Sequence, residues 1–152
     1  MLWFGDTLVD IRVAHDDGGD GISVIESLAP CGDSPPYHVH HSEDESFTVL
    51  DGELELVVDG ETLSLRPGES RLAPKGVPHT YRVVSEAARW LVVTTRGDFE
   101  RFVRAASRPA ERIALPEPML PPTTEEQGTL AELASRYSIE LLGPAPVLSP
   151  AR

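Results

Sequence analysis

Residues 32–52 read GDSPPYHVHHSEDESFTVLDG, and residues 68–79 read GESRLAPKGVPH. A strand sends alternate side chains to one face, so His38 and His40 project together. Pro35 and Pro36 just before them cannot continue a sheet ladder, which marks a strand start or an edge. Glu45 opens the next strand, and a turn can bring its carboxylate back toward the two imidazoles. The second segment delivers His79 directly after a turn built on Pro74 and Gly76. Three neutral imidazoles and one carboxylate suit one borderline divalent transition ion: Fe, Ni, Mn, Zn, Co or Cu. Mg and Ca prefer oxygen donors, and the single cysteine, Cys31, excludes a multi-thiolate site. Four ligands on an ion that accepts about six leave about two positions open, which distinguishes a catalytic site from a closed structural one.

Each residue also has a plainer reading. His38, His40 and His79 could simply fill a barrel interior. Glu43 and Asp44 compete with Glu45 for the carboxylate role. His41 points away from His40 in a regular strand and is expected to be exposed. His15, beside Asp16-Asp17-Gly18-Gly19, is expected to be solvated. Cys31 reads as a small core or turn residue. Phe47 and Tyr81 share the parity of Glu45 and His79, so they either line the cavity as substrate contacts or belong to the core.

Outward from these segments the chain reads as short strands. Thr7–Ala14 and Ile22–Ala29 are rich in Val and Ile, followed by Glu45–Asp51, Glu53–Val58, Glu61–Leu65, Arg71–Ala73, His79–Val84 and Arg89–Thr95. Asp51-Gly52 and Asp59-Gly60 sit between β-prone runs and predict type I′ hairpin turns, whose two central residues need positive φ. Many short strands with closely spaced turns predict a closed or sandwich-like antiparallel barrel. The pattern changes after Gly97. Asp98 is placed to cap a helix carrying Phe99, Phe102, Val103 and Ala106 at i, i+3, i+4, i+7. Residues 108–122 hold five prolines and predict an extended linker. Thr124-Glu125-Glu126-Gln127 has capping-box spacing and predicts a second helix with Leu130, Leu133, Ala134 and Tyr137 on one face. The expected organisation is therefore a barrel over residues 1–97, with its core at about 5–95, and a helical extension over 98–152 packed on it. Residues 143–152 are Pro-rich and expected to be poorly ordered.

With 13 basic and 25 acidic side chains the formal charge is −12, and no basic cluster offsets it. Such a surface repels phosphate backbones, so neither nucleic acid nor an anionic membrane is an expected partner. The N-terminus lacks the basic and apolar regions of a signal peptide, and no run approaches the roughly 18 apolar residues of a membrane span. A cytoplasmic protein is expected. Leu2, Trp3 and Phe4 form an apolar run ahead of the first clear strand. Such a terminus can add to a neighbouring subunit's sheet, which predicts a homodimer, or can be buried in its own barrel.

The two quoted segments resemble the metal-binding motifs of the cupin superfamily. The first motif is Gly, five residues, His-x-His, four residues, Glu, six residues, Gly, and Gly32, His38, His40, Glu45 and Gly52 fill it. The second is Gly, five residues, Pro-x-Gly, two residues, His, filled by Gly68, Pro74, Gly76 and His79. The family often carries Asn at the position of Val83; this departure touches a neighbouring hydrogen bond and not the ion. The stretch Leu130–Pro144 also resembles the tail of small bacterial cupins of quercetin-dioxygenase-like kind. The resemblance implies an all-β fold, a cupin antiparallel β-barrel (double-stranded β-helix or jelly roll) with short C-terminal α-helices. It also implies a dioxygenase-type oxidoreductase acting on a small phenolic or enolisable molecule, with Glu45 as general base. Two alternatives stand beside it: a non-redox isomerase, epimerase or cyclase using the same ligands, and a binding module without turnover. The N-terminal strand exchange common among cupins adds to the homodimer expectation.

Overall fold

The structure is a computed structural model that describes residues 1–144 and 146. Most of the tail expected to be poorly ordered, Ala145 and residues 147–152, lies outside the described residues. In chain order the strands are β1 (Leu2–Phe4), β2 (Thr7–Val13), β3 (Ser23–Pro30), β4 (Tyr37–His40), β5 (Glu45–Asp51), β6 (Leu54–Val58), β7 (Glu61–Leu65), β8 (Ser70–Ala73), β9 (His79–Val83) and β10 (Ala87–Thr94). Helix α1 (Asp98–Ala106), strand β11 (Arg108–Pro109), helix α2 (Thr124–Ser135) and strand β12 (Ile139–Gly143) follow. Among the described residues the strands form two antiparallel sheets. One runs β11-β1-β2-β3-β10-β5-β8 and the other β12-β4-β9-β6-β7. This is the expected jelly-roll barrel.

The period-two pattern decides which faces meet. In β3, β5 and β10 alternate residues are buried, and Ile25, Phe47, Val49, Trp90 and Val92 face Leu54, Leu56 and Val83 of the other sheet in one core. A smaller core of Phe102, Ala134 and Ile139 joins α1, α2 and β12.

One local expectation holds and four are corrected. Asp59-Gly60 turns β6 into β7 with φ of 52° and 80°, as a type I′ turn requires. Asp51-Gly52 does not make a hairpin: β5 pairs with β10 and β8, β6 with β7 and β9, and only Gly52 has positive φ, so the dipeptide is a corner between sheets. The capping box of α2 lies one residue earlier than expected. Thr123 accepts from Glu126 N–H and its own N–H donates to Glu126, because Thr-x-x-Glu fits there as well as Thr-x-x-Gln does one step on. The cap of α1 is Gly97 rather than Asp98. Tyr137 lies past the end of α2 and packs near Phe102, with ring centroids 6.3 Å apart.

The N-terminal aromatics are used within the chain. Strand β1 pairs with both β2 and β11. Trp3 is 3 % exposed, its indole N–H donates to the Ala114 carbonyl at 2.8 Å, and the Arg108 guanidinium lies 4.4 Å from its ring centroid. No helix among the described residues is long and apolar enough to cross a membrane.

Candidate metal centre

The two sheets supply different donors to one point. In the smaller sheet β4 carries His38 and His40, and β9 carries His79, whose Cα pairs with that of His38. In the larger sheet β5 begins at Glu45. One ligand atom from each of these four residues lies within 4.8 Å of the others, and all four residues are buried. Glu45 Oε2 lies 2.7 Å from His79 Nε2 and 3.2 Å from His40 Nε2.

The Nδ1 side of two of the three rings is held from behind. His38 Nδ1–H donates to the Pro36 carbonyl at 2.8 Å, and His79 Nδ1–H to the Val77 carbonyl at 3.0 Å. His40 has no such carbonyl; its Nδ1 faces Glu43 Oε1 at 3.5 Å. Neither that approach nor the one to Glu45 has hydrogen-bond geometry, so both ring nitrogens of His40 are buried without a hydrogen-bond partner. Nitrogens left open and converging with a carboxylate are what an ion would satisfy, because a buried polar group otherwise carries its full desolvation cost. The donor set fits a borderline divalent ion held by His38, His40, Glu45 and His79.

The electrostatics express the same crowding. Burial, followed by the neighbouring His79 and His40, pushes His38 down to about 3. Burial also works against a charged His40, but the Glu45 charge and the Glu43 carboxylate outweigh it and raise the group to about 9. Burial pushes Glu45 up, yet His40 and His79 hold it well below the usual carboxylate range. Glu45 is thus favoured as an anion by the imidazoles around it, the form in which a carboxylate binds a cation.

Glu43 is the residue that sequence reading undervalued. It is 1 % exposed, and its Oε1 accepts the Phe99 N–H at 2.5 Å, in the first turn of α1. It therefore joins the connection between β4 and β5 to the helix. Asp44 points elsewhere and accepts from Lys75 N–H. His41 is exposed and 2.8 Å from Glu140, as its parity predicts. His15 is not simply solvated: its backbone N–H donates to the fully buried Glu100 at 2.6 Å, its Nδ1 is 3.2 Å from the same carboxylate, and its side chain is 22 % exposed. The polar turn around it hid this, since its partner comes from α1. Cys31 is an exposed turn residue. Phe47 and Tyr81 both line the cavity beside the ligands. Tyr81 donates its hydroxyl to Asp33 at 3.1 Å, and burial together with Asp33 raises it well above its ordinary value, so it stays a neutral phenol.

Comparison with known proteins agrees with this arrangement. Residues 24–94 match the family model described as Cupin domain. Quercetin 2,3-dioxygenase of Bacillus subtilis is 31 % identical over 113 residues, covering 74 % of this chain and 34 % of that protein. An uncharacterized protein of Aquifex aeolicus is 42 % identical over 59 residues, covering 39 % of this chain and 47 % of that one. The chain thus spans about a third and about half of the length of these two curated relatives. Among solved structures, KdgF from Halomonas sp. aligns with a TM-score of 0.55 at 19 % identity, over 60 % of this chain and 79 % of its own. TT1209 from Thermus thermophilus aligns with a TM-score of 0.53 at 27 % identity, over 60 % and 84 %. With the motif residues gathered in one barrel and the same fold in these structures, residues 24–94, which the family model matches, form a cupin-type domain.

Proposed function

We propose that this cupin is a metal-dependent oxidoreductase of dioxygenase type acting on a small phenolic or enolisable molecule. The observation that carries the reading is the buried four-donor cluster opening onto an apolar cavity. The quercetin 2,3-dioxygenase relative supports it. A divalent transition ion on His38, His40, Glu45 and His79 would acidify a substrate hydroxyl and, if redox-active, activate dioxygen. The chain's own groups do the rest. The Glu45 carboxylate is the general base: it accepts the proton as the substrate hydroxyl becomes an enolate or phenolate. Backbone carbonyls of Pro36 and Val77 fix the rings of His38 and His79, so donor positions are set before substrate arrives. Phe47 and Tyr81 contact the substrate body and, with the other apolar walls, keep water from it.

Elemental analysis of native protein, combined with oxygen uptake on phenols and enolisable diketones, tests this. About one Fe, Ni, Mn or Cu per chain with oxygen consumption is the expected result. Zn alone, without oxygen uptake but with isomerisation or cyclisation, would establish non-redox chemistry instead. Glu45→Gln should retain part of the metal and lose at least a hundredfold in turnover. Full activity in that variant eliminates the general-base role.

A further inference from the structure

The cavity in front of the ligands is small, about 80 Å³. Sites for drug-sized ligands run to roughly 300–1,000 Å³. At about 10–15 Å³ for each water-sized group, this one has room for on the order of five to eight heavy atoms. The barrel wall, with Phe47 and Tyr81, does not set that limit alone. The opposite wall comes from the extension: Phe99 and Phe102 of α1, Leu130 of α2, and Ile139 and Leu141 of β12. That wall follows the segment matched by the family model, which ends at residue 94.

The wall is tied down where it matters. Strand β12 pairs with β4, placing Ile139 opposite His40 and Leu141 opposite His38. Phe102 is 5 % and Ile139 3 % exposed, and both pack with Ala134. Withdrawing the wall would break ladder hydrogen bonds next to two metal ligands and expose that core. The cavity surface is apolar apart from the ligand end. Three neutral imidazoles and one carboxylate leave a divalent ion with about one net positive charge, which suits a monoanionic oxygen ligand.

We propose that Phe99, Phe102, Leu130, Ile139 and Leu141 set the size limit of this site. It takes an enolisable compound the size of acetylacetone, apolar at one end and acidic at the other, and shuts out a three-ring flavonol. The charge argument rests on the metal centre proposed above; the size argument does not.

The test has two arms. In the first, protein loaded with Co(II) is titrated with acetylacetone and with a flavonol while the visible bands of the ion are followed. Acetylacetone shifts them saturably and the flavonol does not. In Leu130→Ala with Leu141→Ala the flavonol dissociation constant falls at least tenfold; both side chains are partly exposed, and either single variant serves if circular dichroism shows the pair unfolded. In the second arm, ion-free protein is offered benzene and biphenyl, with binding read by ligand-observed NMR. Benzene binds the wild type and biphenyl only the widened variant. Biphenyl or flavonol binding to wild type as tightly as the small probe overturns the size limit. Failure of Co(II) uptake while the second arm holds overturns the metal centre and leaves the size limit standing.

Discussion

Glu43 accepts from an amide 56 positions along the chain, and that contact is one of those that join the centre to the extension. His38 and His79 are oriented by backbone carbonyls, whereas His40 has a carboxylate behind it. At 3.5 Å and without hydrogen-bond geometry, that charge still acts through space, favouring a proton on Nδ1 and leaving Nε2 free for an ion. Glu43→Ala should weaken metal affinity by about 10–100-fold, and Glu43→Gln, which keeps an acceptor for Phe99 N–H, by less. Competition with a chromophoric chelator measures both. Unchanged affinity with lowered stability would reduce Glu43 to a helix cap. The clustering of His38, His40, Glu45 and His79 was legible in the sequence because strand parity and motif spacing both select them. Glu43 was not, because its partners are a ring one turn away and an amide in α1, and no local period connects the three.

At the scale of elements, Asp51-Gly52 and Asp59-Gly60 show what a dipeptide reveals and what it hides. Both lie between β-prone runs and look alike, yet one closes a hairpin and the other carries the chain from one sheet to the next. The difference lies in the neighbours that tertiary packing brings up. A Cβ on Gly60 would meet nothing within 4 Å, whereas one on Gly52 would strike the Ala87 carbonyl oxygen and lie 2.8 Å from Ala88 Cα. Both glycines have positive φ, 76° at Gly52 and 80° at Gly60. Gly60→Ala should therefore cost about 1–2 kcal/mol for the backbone conformation alone. Gly52→Ala should cost about 3 kcal/mol or more, because backbone must also move. Urea unfolding of the two variants decides it, and equal losses would mean that the corner has slack. Strand β12 was hidden for a related reason: Ile139–Gly143 follows a helical pattern, and only the exposed edge of β4 makes it a strand.

For the whole molecule, self-burial of Trp3 removes the main reason for exchanging β1 with a neighbour. The outer strands β7 and β8 still end their sheets, and open edges invite pairing. We expect a homodimer at micromolar concentration whose interface leaves β1 in place. Trp3→Ala should lower stability by about 3–5 kcal/mol without changing the mass measured by light scattering. A monomeric wild type refutes the dimer; a variant that alone becomes monomeric restores strand exchange. The barrel was readable from turn spacing and alternation, whereas the wall over its mouth depends on pairing that no local pattern announces. That pairing also orders events in time. His41, the residue after β4, meets Glu140 across 99 positions of sequence, so β12 leaves the ribosome long after the four candidate donors have been made. Until then β4 has a bare edge and the cavity one missing side. A chain interrupted anywhere between α1 and β12 would carry all four candidate donors and still lack a finished pocket, so synthesis of the enclosed site is complete only when its least motif-like strand has been added.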